Sequence, residues 1–341
     1  MPDTTVVRSM PPRAIASAPT FDIWRFVGRY GALIVLAALI LTVTVLEPST
    51  FPTKSNAINI LNQSSLAALI AMGLTFPLVA GEFDLSIGNT GSFCGIVAAW
   101  LMVDSGASIP VAFAVALAIG ACVGLINGLV VTKIGVNALV ATLGIGTMVI
   151  GINFSVSSGL PITLQGDQAV SFVNLTLGEF LGIPYPVYVM LTVAALLWLL
   201  LNRTVTGQSI QAVGGNPIAA QLSGIRVDRI RIIVFVIAGV CAAVAGVLLA
   251  SRTGSATTNG ADGYLLSSFS AAFFGSAVMR DGQFHIVGTL VGVITVSVGF
   301  SAIALMGLPT YWQYLFQGGL LILGVGVGTL ARRRSGQGGR E

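Results

Sequence analysis

The sequence predicts an all-α polytopic membrane protein, because of its composition, its apolar runs and the distribution of its charges. Of the 341 residues, 55% are hydrophobic and 8% are charged, whereas about 25% of a soluble globular chain is charged. A water-soluble protein of this length needs far more charged residues to cover its surface. The net charge of +4 is not gathered into a basic domain, which excludes nucleic acid as the main partner.

The apolar runs define the individual elements. A bilayer core of about 30 Å requires about 20 apolar residues per helix. Ten runs are candidates for transmembrane spans, at residues 30–46, 65–80, 87–103, 111–132, 138–155, 187–201, 232–251, 265–279, 286–305 and 311–330. The third, sixth and eighth of these are short or interrupted by Gly, Ser or Asn.

The basic residues predict the orientation of the spans. With an inside N-terminus, ten spans place 14 of the 16 Lys and Arg residues on one side and leave Lys54 and Arg252 on the other. Because cytoplasmic loops carry the excess of Lys and Arg, we expect both termini in the cytoplasm. The predicted organisation is a cytoplasmic tail at 1–29, one transmembrane domain at 30–330 with an inside loop at 202–231, and a basic cytoplasmic tail at 331–341.

Catalytic and metal chemistry have no suitable residues in this chain. The cysteines, Cys94, Cys122 and Cys241, all lie inside apolar runs, and His285 is the only histidine. Neither lysine follows a glycine, as the phosphate-binding loop of an ATPase requires. We therefore expect no catalytic residue, no metal site and no cofactor bound by this chain.

The inside loop contains a short segment with helix signals at both ends. Asn216 is a favoured N-cap residue, Pro217 suits the first helical position, and Gly224 suits the left-handed conformation that ends a helix. Six residues are too few for an isolated helix in water, although Ile218 and Leu222 share one face. Two interpretations stay open at this point: the helix rests on lipid headgroups, or it docks in a groove of a soluble protein.

The third and eighth spans are the candidates for a solute pathway. Transporters often bind solute between repeats, at short or discontinuous helices in corresponding halves. Hydroxyl, amide and aromatic groups suit a neutral sugar, but small polar residues also serve helix packing in membranes. The candidate residues are Asn89, Ser92 and Phe93 in the third span, and Ser267, Ser270, Phe273 and Phe274 in the eighth.

Before the third span, Gly81, Asp84 and Ser86 predict a turn in which Asp84 is the N-cap residue. Because acidic residues near the membrane are often functional, a solute or proton role for Asp84 is the alternative. Glu82, in the same turn, is expected at the membrane interface.

Two motifs carry a family resemblance. The run Gly214–Ile225 (GGNPIAAQLSGI) resembles the cytoplasmic coupling segment of permease subunits in ribose/xylose/arabinose-type ABC importers of bacteria. The run Ala80–Gly88 (AGEFDLSIG) is similar to that family's A-G-G-x-D-L-S-V-G signature, with Glu82 in place of the second glycine. Asn127-Gly128 and Thr142-Leu143-Gly144 also resemble the family.

The resemblance implies a fold, a location and an assembly. It implies a type II ABC importer-like permease in the bacterial inner membrane, with an inverted repeat of spans 2–5 and 7–10. It implies three protein partners: a second permease copy, an extracytoplasmic sugar-binding protein, and a cytoplasmic ATPase that uses ATP and Mg. The residues implied in coupling to that ATPase are Gly215, Asn216, Pro217, Ala219, Ala220, Leu222, Ser223 and Gly224.

The predicted function is a translocation pathway for a small neutral sugar or related polyol, driven by the separate ATPase. The alternative is an ion-coupled secondary carrier. Such a carrier needs ionisable groups within its spans, whereas every Asp, Glu, Lys and Arg here falls in a predicted loop or at a span end.

Overall fold

Thirteen α-helices form most of the chain in the computed structural model, which describes residues 23–279 and 282–337. A π-helical turn, Val130–Ile134, extends the fourth helix. The helices are α1 Ile23–Leu46, α2 Lys54–Val79, α3 Ile87–Asp104, α4 Ile109–Leu129, α5 Ala138–Ser157, α6 Gly166–Leu177, α7 Tyr185–Arg203, α8 Val205–Gly215, α9 Pro217–Leu222, α10 Val227–Thr253, α11 Asp262–Met279, α12 Ile286–Leu305 and α13 Tyr311–Gln337.

Ten of these helices coincide with the ten apolar runs. Within the residues that the structure describes, six helices are long and apolar enough to cross a membrane, namely α2, α4 with its π-turn, α5, α7, α10 and α12. Helix α1 begins at Ile23 and α13 continues to Gln337, so both helices extend beyond the apolar runs predicted as spans. Arg280 and Asp281, which follow the eighth apolar run, lie outside the described residues.

Some local structure was not predicted. Helix α6 and two short two-stranded antiparallel sheets form in what the sequence suggested were loops. One sheet pairs β1 (Ile162–Thr163) with β4 (Ser255–Ala256), and the other pairs β2 (Glu179–Phe180) with β3 (Ile183–Pro184). They add a small β component to the expected all-α fold.

Helix α10 lies at the centre and packs along α2, α3 and α4. Glycines allow the close approach: a Cβ on Gly120 or Gly124 of α4 would strike the α10 backbone, and a Cβ on Gly246 of α10 would strike Gly91 of α3. Small residues let membrane helices pack closely where no water drives association. This packing accounts for part of the high glycine content.

Several contacts between helix ends join segments that the sequence predicts on the same side of the membrane. At the end predicted to be cytoplasmic, Lys133 Nζ pairs with Asp228 at 2.8 Å, and Gly214 packs on the carbonyl of Val79. At the opposite end, β1 pairs with β4, and Gln168 Nε2 donates to the carbonyl oxygen of Ala107 at 2.7 Å.

Candidate coupling helix and translocation pathway

The short helix α9 has the boundaries and caps that the sequence predicts. Asn216 adopts an extended conformation, and its side chain accepts hydrogen bonds from the N–H groups of Ile218 and Ala219 at 3.1 and 3.0 Å. At the other end, Gly224 has a φ of +84°. The N–H of Ile225 donates to the carbonyl of Ala220 at 3.0 Å, which completes a helix-ending motif of the Schellman type.

The exposed face of α9 is apolar. Ile218 and Leu222 are 70% and 86% exposed, and both belong to the same helical face. Ala220 instead is buried against the chain's own core. Its side chain faces the bundle, so Ala220 anchors the helix, while Ile218 and Leu222 form the exposed surface.

The three other motif segments meet at the turn before α3. Asn127 Nδ2 donates to Ser86 Oγ at 2.7 Å, and Ser86 Oγ donates to Asp84 Oδ1 at 2.6 Å. The N–H of Leu85 donates to Thr142 Oγ1 at 3.0 Å. The turn is thus held against α4 and α5 by residues that carry the family resemblance.

The expected role of Asp84 as N-cap residue is wrong, because Ser86 occupies the N-cap position of α3. Asp84 accepts from both the N–H and the hydroxyl of Ser86, and Gly81 supplies a φ of +83° to the turn. Asp84 is buried, and burial raises the pKa of its carboxyl to about 6, although the Ser86 hydrogen bonds oppose this shift.

The first turns of α3 and α11 touch each other. The N–H of Ala261 donates to Ser92 Oγ at 2.9 Å, and Ser92 Oγ donates to Asp262 Oδ1 at 3.2 Å. Gly88 packs against Ala261 and Leu265. The two helices that the sequence singled out for the pathway are therefore neighbours at their starts.

Most of the candidate pathway side chains are occupied by packing, which was the alternative left open. Phe93 packs in an apolar cluster with Val123 of α4 and Val149 of α5. Ser267 and Ser270 donate to the side-chain and main-chain oxygens of Gln317 at 3.1 and 3.0 Å. Of the remaining candidates, Ser92 joins α3 to the start of α11, and Phe274 is buried where Gly324 approaches it. Asn89 and Phe273 are half-buried.

Phe273 belongs to an aromatic cluster that sequence analysis missed. Its ring lies 6.3 Å from that of Phe269, 6.5 Å from that of Phe83 and 5.0 Å from that of Phe284. Phe83 also stacks on Phe269 at 6.3 Å. The four phenylalanines come from three separate segments. Phe269 and Phe273 are spaced i, i+4 on α11, but no local signal joins Phe83 and Phe284 to them.

Glu82, expected at the membrane interface, pairs with helix α10. Its Oε1 lies 2.8 Å from Arg231 Nε. Burial raises the pKa of the Glu82 carboxyl, and the Arg231 charge opposes that rise. Within the described residues, no group of three or more His, Cys, Asp or Glu side chains could hold a metal ion.

Comparison with known proteins agrees with this geometry. Residues 56–325 match the family described as "Branched-chain amino acid transport system / permease component". The chain is 35% identical to the ribose import permease protein RbsC of Haemophilus influenzae, over 89% of this chain and 94% of that protein. It is 35% identical to the L-arabinose ABC transporter permease protein AraH of Azospirillum brasilense, over 92% of each chain.

A third relative is the galactose/methyl galactoside import permease protein MglC of Escherichia coli. It is 32% identical over 89% of this chain and 95% of its own length. No solved structure matches the chain. The match spans most of the chain and includes the coupling motif and the signature turn, which confirms the resemblance seen in the sequence. The chain belongs to this permease-component family, as a membrane permease of the ribose/xylose/arabinose-type ABC importers.

Proposed function

We propose that this chain forms the translocation pathway of an ABC importer for a small neutral sugar or related polyol, and that a separate ATPase drives it through helix α9. The observation that carries the proposal is the apolar surface that α9 exposes. Its termini are capped, its small residue Ala220 is buried, and its large apolar residues Ile218 and Leu222 are exposed to solvent. A surface of this kind fits an apolar groove on a partner protein.

Lipid is the less suitable partner for this helix. The nearest basic residues in the sequence, Arg226 and Arg229, lie after the helix rather than on it. A helix that lies in a membrane interface is normally rich in Lys and Arg on its polar face, whereas α9 carries no charged residue. This difference favours a protein groove over anionic headgroups.

The membrane arrangement that we propose has ten crossings and an inverted repeat of α2–α5 and α10–α13. The helix packing supports it, because several contacts have counterparts: α10 packs on α4 as α2 packs on α12, and α10 packs on α3 as α2 packs on α11. Likewise α3 contacts α5 as α11 contacts α13. The excess of Lys and Arg places both termini and α9 in the cytoplasm.

The substrate class rests on the relatives. Their printed names refer to ribose, L-arabinose and galactose, which are neutral monosaccharides. We propose the same class for this chain, with Asn89 and Phe273 as the pathway residues that packing leaves half-buried. The implied partners are a second permease copy, an extracytoplasmic sugar-binding protein, and an ATPase that binds ATP and Mg.

An ion-coupled secondary carrier is the alternative that the comparisons do not favour, since the named relatives are import permeases of ABC type. Asp84 is the only buried Asp, Glu, Lys or Arg side chain in the part of the chain that the structure describes. Its acceptor oxygen is occupied by Ser86 within the turn. That arrangement suits a structural role better than an ion site.

The test is to replace Leu222 by aspartate and to measure two quantities with the cognate ATPase and binding protein. These are copurification of the ATPase and uptake of labelled D-ribose, L-arabinose or D-galactose into proteoliposomes. We expect Leu222→Asp to lose both, because an unpaired carboxylate in an apolar interface is costly.

Val205→Asp is the matched control, since Val205 is an exposed apolar residue of the same loop outside α9. It should keep both the ATPase and uptake. Normal copurification and uptake by Leu222→Asp would refute the docking surface. A wild-type complex that binds its ATPase but takes up none of the three sugars would refute the substrate class.

A further inference from the structure

The ion pair between Glu82 and Arg231 differs from the other ion pair at this end of the bundle. The Glu82 and Arg231 side chains are 12% and 30% exposed, whereas Lys133 and Asp228 are 60% and 49% exposed. Exposed pairs contribute little because water and salt screen them. Removing one partner of a largely desolvated pair is far more damaging, because it leaves the other charge uncompensated.

Both helices that flank α9 contact the same short segment, residues 79–82. Helix α8, just before α9, packs Gly214 on the carbonyl of Val79 so closely that a Cβ could not be accommodated. Helix α10, just after α9, reaches Glu82 through Arg231 in its second turn. A displacement of α9 therefore reaches residues 79–82 from two sides, through one steric contact and one ion pair.

Phe83, the residue that follows this segment, connects it to the aromatic cluster. Phe83 stacks on Phe269 and Phe273 of α11, with ring planes inclined by 24° and 20°. Phe273 meets Phe284, which precedes α12, edge to face. The cluster thus joins the α2–α3 turn to α11 and to the segment just before α12.

We propose that Glu82 and Arg231 are positioning residues that transmit movement of the coupling helix to the aromatic cluster of Phe83, Phe269, Phe273 and Phe284, which closes the cytoplasmic end of the pathway. This inference rests on the proposed function, because it requires an ATPase docked on α9. In this scheme α10 carries Arg231 with it when α9 moves. Glu82 follows, and the turn withdraws Phe83 from its stack.

The amide hydrogens of the turn provide a direct readout. The N–H of Glu82 donates to the carbonyl of Pro77 at 2.9 Å, and the N–H of Leu85 donates to Thr142 Oγ1 at 3.0 Å. Hydrogen–deuterium exchange over residues 80–86 therefore reports movement of the turn. The experiment compares the intact complex without nucleotide and after trapping with Mg-ATP and vanadate.

We expect trapping to increase exchange at residues 80–86 in the wild-type complex. Glu82→Gln and Arg231→Gln should each lose this response while the bound ATPase keeps its hydrolysis rate. The charge-swapped double variant Glu82→Arg/Arg231→Glu should regain it, which a purely steric or stability role would not produce. Lys133→Gln is the matched control, since it removes the exposed ion pair to the same helix, and it should respond as wild type does.

Two results would overturn the inference: no change of exchange at the turn in the trapped wild-type complex, or a wild-type response in both single glutamine variants. If a glutamine variant does not assemble, Arg231→Lys keeps the charge and must keep the response. Failure of the proposed function gives a different result. In that case the ATPase would not copurify with the wild-type chain, or its binding would persist in Leu222→Asp. If docking is confirmed and the glutamine variants still respond, only the transmission role is lost.

Discussion

The N-cap of the coupling helix offers the sharpest quantitative test. Asn216 accepts two main-chain N–H groups of α9, from Ile218 and Ala219. Replacing Asn216 by alanine removes both acceptor contacts, and loss of such a cap costs about 1 kcal/mol. Because α9 has six residues, the loss affects the whole helix rather than one end.

A change of about 1 kcal/mol lowers the ratio of closed to open helix about fivefold. The amides of Ser223 and Ile225 report this ratio, since their N–H groups donate to the carbonyls of Ala219 and Ala220, both at 3.0 Å. In the purified chain we expect hydrogen–deuterium exchange at these two amides to accelerate about fivefold in Asn216→Ala, in proportion to the increased population of the open form.

Asn216→Asp is the matched control, because aspartate is an equally good N-cap residue. It should exchange at close to the wild-type rate. The reasoning is refuted if Asn216→Ala exchanges no faster than wild type, or if the aspartate variant accelerates as much as the alanine variant. In the complex, Asn216→Ala should also weaken ATPase binding, since only the closed helix presents its apolar face.

Three further predictions concern the bundle. Gly246→Ala should lower the melting temperature, because the added methyl group strikes the Gly91 backbone and overpacking typically costs about 1–3 kcal/mol. Gly151→Ala should not lower it, because Gly151 has open space around it. Equal melting temperatures of the two variants would contradict the packing argument. Ser92→Ala should destabilise the bundle in thermal unfolding by about 1–3 kcal/mol, because it leaves the N–H of Ala261 without its acceptor, and unchanged stability would remove this contact from the account. Burial raises the pKa of Asp84 from 3.8 to about 6, so between these two pH values the folded chain binds more protons than the unfolded chain, and its stability falls as the pH rises. At pH 7.5 Asp84→Asn should therefore be more stable than wild type, by an amount of the order of 3 kcal/mol from 1.36 kcal/mol per pKa unit. At pH 4 the variant should lose this advantage.

The coupling helix was predictable to the residue because its signals are local. Asn216, Pro217 and Gly224 act on the backbone of their own neighbours, so sequence order alone places them correctly. The same holds for the positions of the ten long helices, whose apolar length is a property of consecutive residues. The orientation of side chains was less accessible: nothing in the sequence distinguishes the buried Ala220 from the exposed Ala219.

The pathway was harder to predict for a physical reason. The sequence pattern of a serine in a membrane helix is the same whether the side chain faces a solute or a neighbouring helix. Ser267 and Ser270 proved to face Gln317, 50 and 47 residues further along the chain. Only the long-range arrangement of α11 and α13 decides between the two roles.

The amino-acid sequence by itself determined the membrane class, the helix positions, the family and the capped coupling helix, because each of these depends on composition or on residues close together in the chain. Tertiary structure alone decided which polar residues serve packing, brought Glu82 to Arg231, and assembled four phenylalanines from three segments. These features depend on distances between residues far apart in sequence, which are set only when the helices pack against α10 and one another.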